Sequence, residues 1–148
     1  MGGGARSNRV IGNFVGVNAT GTQRVGSTYN GVRINESVGN TVGGTNASER
    51  NIIGGNGWGM TITGSSAYGN RVLGNHIGVD PSGNVAVRND VGVVIGEGAH
   101  SNSIGGNVIS GNMGEGISII SGSHDNQVLV IRQVTACFTA NQLTKRTV

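Results

Sequence analysis

Seven carboxylates (Glu36, Glu49, Asp80, Asp90, Glu97, Glu115, Asp125), three histidines (His76, His100, His124) and Cys137 are the residues that could carry acid–base, metal or nucleophilic chemistry. Asp80, Asp90, Glu97 and Glu115 are the acids that could converge from loops. Two carboxyls flanking a glycosidic bond would give a hydrolase, and a base beside a neutralised uronate would give a lyase. Asp80 and Asp90 could share one long loop. Asp80-Pro-Ser-Gly83 nevertheless reads more simply as a turn, because its copy Asn18-Ala-Thr-Gly21 lacks the carboxylate. The three histidines recur at a 24-residue spacing, which would suit a metal-binding column. His76 stands where the other copy has Phe14, which favours a solvent-facing filler over a ligand. Cys137 has no partner for an internal disulfide and no organised His/acid pair. No catalytic residue, metal or cofactor is therefore assigned.

The elements that would position these groups come from repetition. Asn8-Arg-Val-Ile-Gly-Asn13-Phe-Val-Gly16 returns almost unchanged 62 residues later as Asn70-Arg-Val-Leu-Gly-Asn75-His-Ile-Gly78. Such self-similarity marks a repeat architecture. Inside it, Gly-x-x-Ile occurs as Gly31–Ile34, Gly59–Ile62, Gly92–Ile95 and Gly116–Ile119. Period two puts Val32/Ile34, Met60/Ile62, Val93/Ile95 and Ile117/Ile119 on one strand face. The outward residues between them are Arg33, Thr61, Val94 and Ser118, the expected ligand-facing positions. A second pattern, Asn-x-[Val/Ile], recurs through the chain. It makes Asn8, Asn40, Asn51, Asn70, Asn102, Asn107 and Asn126 structural corner residues, since Asn tolerates tight backbone turns and hydrogen-bonds its own backbone. Short strands with Asn/Gly corners predict an all-β, right-handed, single-stranded parallel β-helix (β-solenoid) of about four to five coils. Stacked corner Asn side chains would form amide ladders.

Composition narrows the function classes. The chain has 29 glycines and one proline in 148 residues, with only 11% charged and 3% aromatic residues. The net charge of +3 is scattered singly, and few aromatics are present to stack on bases, so no nucleic-acid partner is expected. No stretch approaches the roughly 20 apolar residues of a membrane helix, so no membrane span is expected. Calcium-binding nonapeptides and phosphate-binding loops are absent. The glycosylation-like triplets at Asn18, Asn35 and Asn46 are expected by chance in an Asn-rich chain. The start, Met-Gly-Gly-Gly-Ala, lacks the pattern of a secretion signal, and the chain reads as a piece of a longer exported protein.

Asn102-Ser-Ile-Gly-Gly106, Asn107-Val-Ile-Ser-Gly-Asn112 and Gly74-Asn-His-Ile-Gly-Val-Asp80 resemble the Gly/Asn-rich right-handed parallel β-helix repeat proteins of bacteria, whose fold is of the pectate-lyase-like class. The resemblance covers roughly residues 8 to 129. It implies an extracellular or cell-surface parent protein and, by analogy with sugar-active members of the fold, a sugar-facing role.

These residues divide the chain into a flexible segment at 1–7, a β-helix at 8–129 and an atypical tail at 130–148. The tail is expected to be a cap, a dimerisation strand or a non-native end. The function they favour is a non-catalytic structural or interaction module that contacts polysaccharide. The runner-up is a polysaccharide lyase or glycoside hydrolase using the loop acids. A third reading is a self-associating scaffold, a homo-oligomer joined through its open ends or its tail.

Overall fold

The computed structural model describes residues 4–26, 28–129 and 132. Thirteen short strands run through them: β1 (Arg9–Val10), β2 (Phe14–Val15), β3 (Asn30–Asn35), β4 (Thr41–Gly43), β5 (Ile52–Ile53), β6 (Trp58–Thr63), β7 (Arg71–Leu73), β8 (His76–Ile77), β9 (Val91–Gly96), β10 (Ser103–Gly105), β11 (Val108–Ile109), β12 (Ile117–Ile119) and β13 (Gln127–Leu129). Among the described residues there is no α-helix, only a single 3-10 turn at Ala47–Glu49. None of the described helices is long and apolar enough to cross a membrane.

Each strand pairs with the strand three places on, always in parallel. Sheet 1 has the order β1-β4-β7-β10-β13, sheet 2 the order β11-β8-β5-β2, and sheet 3 the order β12-β9-β6-β3. The chain thus visits sheets 1, 2 and 3 in turn and starts again, an order compatible with a parallel β-helix. Among the described residues this order of strands runs through four times, and β13 returns to sheet 1.

Strand alternation explains the core. Val10, Val42, Val72, Ile104 and Val128 are register neighbours down sheet 1. Val15, Ile53, Ile77 and Ile109 do the same down sheet 2. In sheet 3 the columns are Val32, Met60, Val93, Ile117 and Ile34, Ile62, Ile95, Ile119. Residues of the middle circuits in these columns, such as Val72, Ile62 and Ile77, have no exposed surface. Each such side chain contributes on the order of 1.5–3 kcal/mol of apolar burial.

The corners are held by side-chain amides. Asn8, Asn40, Asn70, Asn102 and Asn126 form one ladder, in which each Nδ2 donates to the Oδ1 of the next at 2.9–3.1 Å. Asn13, Asn51, Asn75 and Asn107 form a second. Asn56, Asn89 and Asn112 form a third, at the corner entering sheet 3. Each receiving Oδ1 of the first two ladders also accepts the backbone N–H of the preceding Asn. Asn40, Asn51, Asn70, Asn75, Asn102 and Asn107 are at most 1% exposed.

The long repeat is two circuits rather than one. The first ladder steps 32 residues and then 30. Circuits one and three carry a hairpin excursion between sheets 2 and 3, closed by antiparallel bridges Val17–Arg24 and Val79–Ala86. Circuit two instead bulges between sheets 1 and 2 around the 3-10 turn. Copies one circuit apart therefore differ in their loops, and copies two circuits apart match.

Beside this frame, the Val38 N–H donates to the Ala5 carbonyl and the Ser7 N–H to the Val38 carbonyl. The expected cap or dimerisation strand at 130–148 lies outside the described residues, except Arg132, whose backbone pairs with Val108 and adds to sheet 2.

Candidate functional site

Sheet 3 offers the broadest outer surface, because β3, β6 and β9 are six residues long while sheets 1 and 2 have strands of two or three. Arg33, Thr61, Val94 and Ser118 are register partners on its four strands. The structure therefore sets the four expected ligand-facing residues in one column. A shallow groove of about 250 Å³ runs over this face, with Arg33, Thr61 and Val94 in its lining. Its lining comes from all four strands' circuits, and with strands about 4.8 Å apart it extends along the stacking direction.

Three further residues give the groove its chemistry. Trp58, at the start of β6, lines it and is 49% exposed. Asn30 and Glu97 stand in the same wall. Thr61 is 4% exposed, yet among the described residues its Oγ1 has no hydrogen-bond partner, and neither has the buried Asn30 Oδ1. An unsatisfied buried polar group costs about 1–3 kcal/mol. Asn35 Oδ1, by contrast, accepts from Arg33 Nη2 at 3.0 Å and from Thr63 Oγ1 at 2.9 Å, which fixes the Arg33 end. An aromatic face beside hydroxyl and amide groups suits a ligand with apolar faces and hydroxyl edges. Trp58 escaped the reading of sequence patterns because it falls outside the Gly-x-x-Ile motif. Its being the chain's single tryptophan was the available signal.

Two of the four loop acids, Asp90 and Glu115, come together at one corner, and Asp80 and Glu97 lie elsewhere. Asp80 is 7% exposed and caps the third-circuit hairpin, its Oδ1 accepting from Ser82 Oγ and the N–H groups of Asn84 and Val85. Burial alone would raise its pKa, but these hydrogen bonds outweigh burial and hold the carboxyl below its usual range. Asn18 Oδ1 accepts the equivalent bonds from Thr20, Thr22 and Gln23. Asp90 and Glu115 lie in adjacent circuits at the corner entering sheet 3, where the Gly114 N–H donates to the Asp90 carbonyl and the Gly92 N–H to the Glu115 carbonyl. Glu97 follows β9 at the other end of that sheet, roughly 20 Å of strand away from Asp90. Of the four, only Glu97 lines the groove.

The histidines separate as well. Tyr68, His100 and His124 stack as one exposed column, with ring centroids 5.3 and 5.0 Å apart, two residues before the first Asn ladder. His124 Nδ1 lies 2.9 Å from the Asp125 carboxylate. His76 is not in this column. Nor does it face solvent, as its match to Phe14 suggested: it is 5% exposed. The hairpin at 79–86 folds back over sheet 2, bringing Gly83 so close that an added Cβ would lie 3.1 Å from His76 Cε1. Its Nδ1 donates to the Asp80 carbonyl at 2.9 Å. Among the described residues, no group of three or more His, Cys, Asp or Glu side chains could hold a metal ion.

Burial pushes the His76 pKa below its ordinary value, Arg50 adds to this, and the Asp80 carbonyl and charge oppose it. The fold thus favours neutral His76, and the unfolded chain binds the extra proton more readily. Its contribution is complete above the ordinary pKa near 6.5 and is lost as pH falls below it. His76→Phe should therefore flatten the decline in stability between about pH 7.5 and 5. Urea midpoints across that range provide the check, and an unchanged slope would refute it.

Comparison of the chain with protein-family models, curated proteins and solved structures found no match.

Proposed function

We propose that this chain is a right-handed parallel β-helix of four complete coils and the start of another, and that it is a non-catalytic module binding a linear polysaccharide along the groove of sheet 3. The observation that carries the reading is the groove itself, in which exposed Trp58 and exposed Arg33 share one lining. A sugar ring presents C–H groups on its faces and hydroxyls at its edge. Trp58 would take a face, while the exposed Arg33 in the same lining would meet the hydroxyl edge. A groove directed along the stack suits a chain ligand better than a compact one. The acids supply less support for hydrolysis or elimination, since a groove holding Glu97 alone of the four lacks a second carboxyl across a scissile bond. An exported bacterial parent protein belongs to the same proposal, because polysaccharide of this kind is met outside the cell.

Trp58 is the only tryptophan, so its fluorescence reports the site directly. Titration with a panel of neutral and acidic oligosaccharides should shift or quench that emission for at least one of them. Trp58→Ala should weaken binding of the same sugar, followed calorimetrically, by at least about tenfold, a loss of roughly 1.4 kcal/mol. Binding that survives Trp58→Ala undiminished, or no binding across the panel, would refute the reading.

A further inference from the structure

The corners between sheets 1 and 2 are unequal. Circuits three and four cross from β7 to β8 and from β10 to β11 through two residues each, Gly74-Asn75 and Gly106-Asn107. Circuit two takes the longer path 44–51, which carries the 3-10 turn. Thr45, Asn46 and Arg50 of this bulge, with Leu73, Gly105 and Gly106 of the short corners, line a second cavity of about 320 Å³. It shares no residue with the groove of sheet 3. Its size falls in the small-ligand range of roughly 300–1,000 Å³. Gly106 turns the chain with a φ of +63°, but Gly105 lies outside the left-handed region, and a Cβ added there would meet nothing closer than 3.6 Å. The room beside Gly105 is therefore not a demand of the backbone.

Arg50 is the one charged residue in this lining. Its Nε donates to the Gly74 carbonyl at 3.1 Å, which fixes the half-buried guanidinium against the short corner. Among the described residues neither Nη has a hydrogen-bond partner, and no carboxylate pairs with Arg50. Glu49, its neighbour in sequence, is already engaged: Oε1 accepts from Arg9 Nη2 at 2.6 Å and Oε2 from Asn46. A fixed guanidinium with two nitrogens unused suits the planar, bidentate geometry of a carboxylate. One positive charge matches a monoanion, whereas a phosphate would find no second cation in the lining. Leu73 supplies an apolar wall, and Thr45 and Asn46 supply polar ones.

We propose that this cavity is a second binding site, separate from the groove of sheet 3, that takes a small hydroxylated organic acid with its carboxylate on Arg50.

Isothermal titration calorimetry of the full chain with gluconate tests this. Sorbitol provides the same carbon chain without the carboxylate, and inorganic phosphate provides the competing anion. Gluconate should bind at least about tenfold more tightly than either. Arg50→Gln removes the charge and should weaken gluconate binding by at least about tenfold. Gly105→Leu leaves Arg50 in place and fills the cavity, and should weaken it to a similar extent. Leu73 and Leu129 are the register partners of Gly105, so a leucine fits that column. Urea midpoints check folding, and Gly105→Leu decides the matter should Arg50→Gln unfold. No gluconate binding would overturn the proposal, as would equal binding of sorbitol or phosphate, or gluconate binding undiminished in either folded variant. Loss of gluconate binding in Trp58→Ala would put the acid in the sheet 3 groove and overturn it too.

Discussion

Asn70→Ala should destabilise the protein by about 3–5 kcal/mol, near the top of the range for a single substitution. The reason lies in what one amide does at the centre of a ladder. Asn70 Oδ1 accepts both the backbone N–H and the Nδ2–H of Asn40, while its own Nδ2 donates to Asn102 Oδ1 and to the Ser37 carbonyl. Alanine leaves four polar groups of neighbouring residues without these partners, in a corner where Asn40, Asn70 and Asn102 are at most 1% exposed. At about 1–3 kcal/mol for each group left unsatisfied, even partial rescue by entering water leaves a large loss. Asn8→Ala is the control, because no described residue donates to Asn8 Oδ1 and the change removes only its Nδ2 donation to Asn40, the backbone N–H donation being kept. It should change stability by about 1 kcal/mol. Equilibrium urea unfolding of the two variants provides the comparison. Equal losses would mean that the ladder does not act through burial.

Gly43→Ala should be at least as severe, with a loss above about 4 kcal/mol or failure to fold. Gly43 closes β4 with a φ of +82°, and its missing side chain faces the next circuit. A Cβ there would collide with the Leu73 carbonyl and the side-chain amide of Asn75. Neither can yield. Leu73 belongs to β7, in register with Gly43 itself, and Asn75 is a rung of the second ladder. Gly69 separates this steric effect from backbone strain, since it has a φ of +65° but nothing within 4 Å of an added Cβ. Gly69→Ala should lose only about 1–2 kcal/mol, the strain of a left-handed backbone carrying a side chain. If thermal melts place the two variants within about 1 kcal/mol of one another, close packing between circuits is not what Gly43 supplies.

The His76 variant bears on the same distinction between local and distant contacts. Phe14 and His76 occupy the same place in the two copies, and both precede an inward sheet 2 residue. Their exposures nevertheless differ, 48% against 5%. The hairpin that buries His76 also holds Asp80, whose carboxylate closes the turn as Asn18 does in the first circuit. A residue read from sequence as a candidate acid thus works as a turn cap, and a residue read as a surface filler lies beneath a loop.

What the sequence determined by itself is everything with a period. Alternation within a strand is a two-residue rule, so Gly-x-x-Ile put Val32, Ile34, Met60 and Ile62 on one face and Arg33 and Thr61 on the other, where Thr61 is nevertheless buried. Corner chemistry is equally local, so Asn-x-[Val/Ile] located the rungs of two ladders. The third ladder escaped because Asn56-Gly-Trp58 and Asn112-Met-Gly114 do not keep the pattern. Its rungs are recognisable only from the bonds joining Asn56, Asn89 and Asn112 across circuits. Only tertiary structure decided which outward residues meet and what covers them. Trp58 joins Thr61 and Arg33 in one groove, Glu97 parts from Asp90 by a strand's length, and the hairpin at 79–86 closes over His76. The physical reason is that inward positions repeat the same packing in every circuit, whereas outer surfaces depend on where irregular loops travel. The direction of a loop is set by contacts distant in sequence, and no short-range rule carries that information.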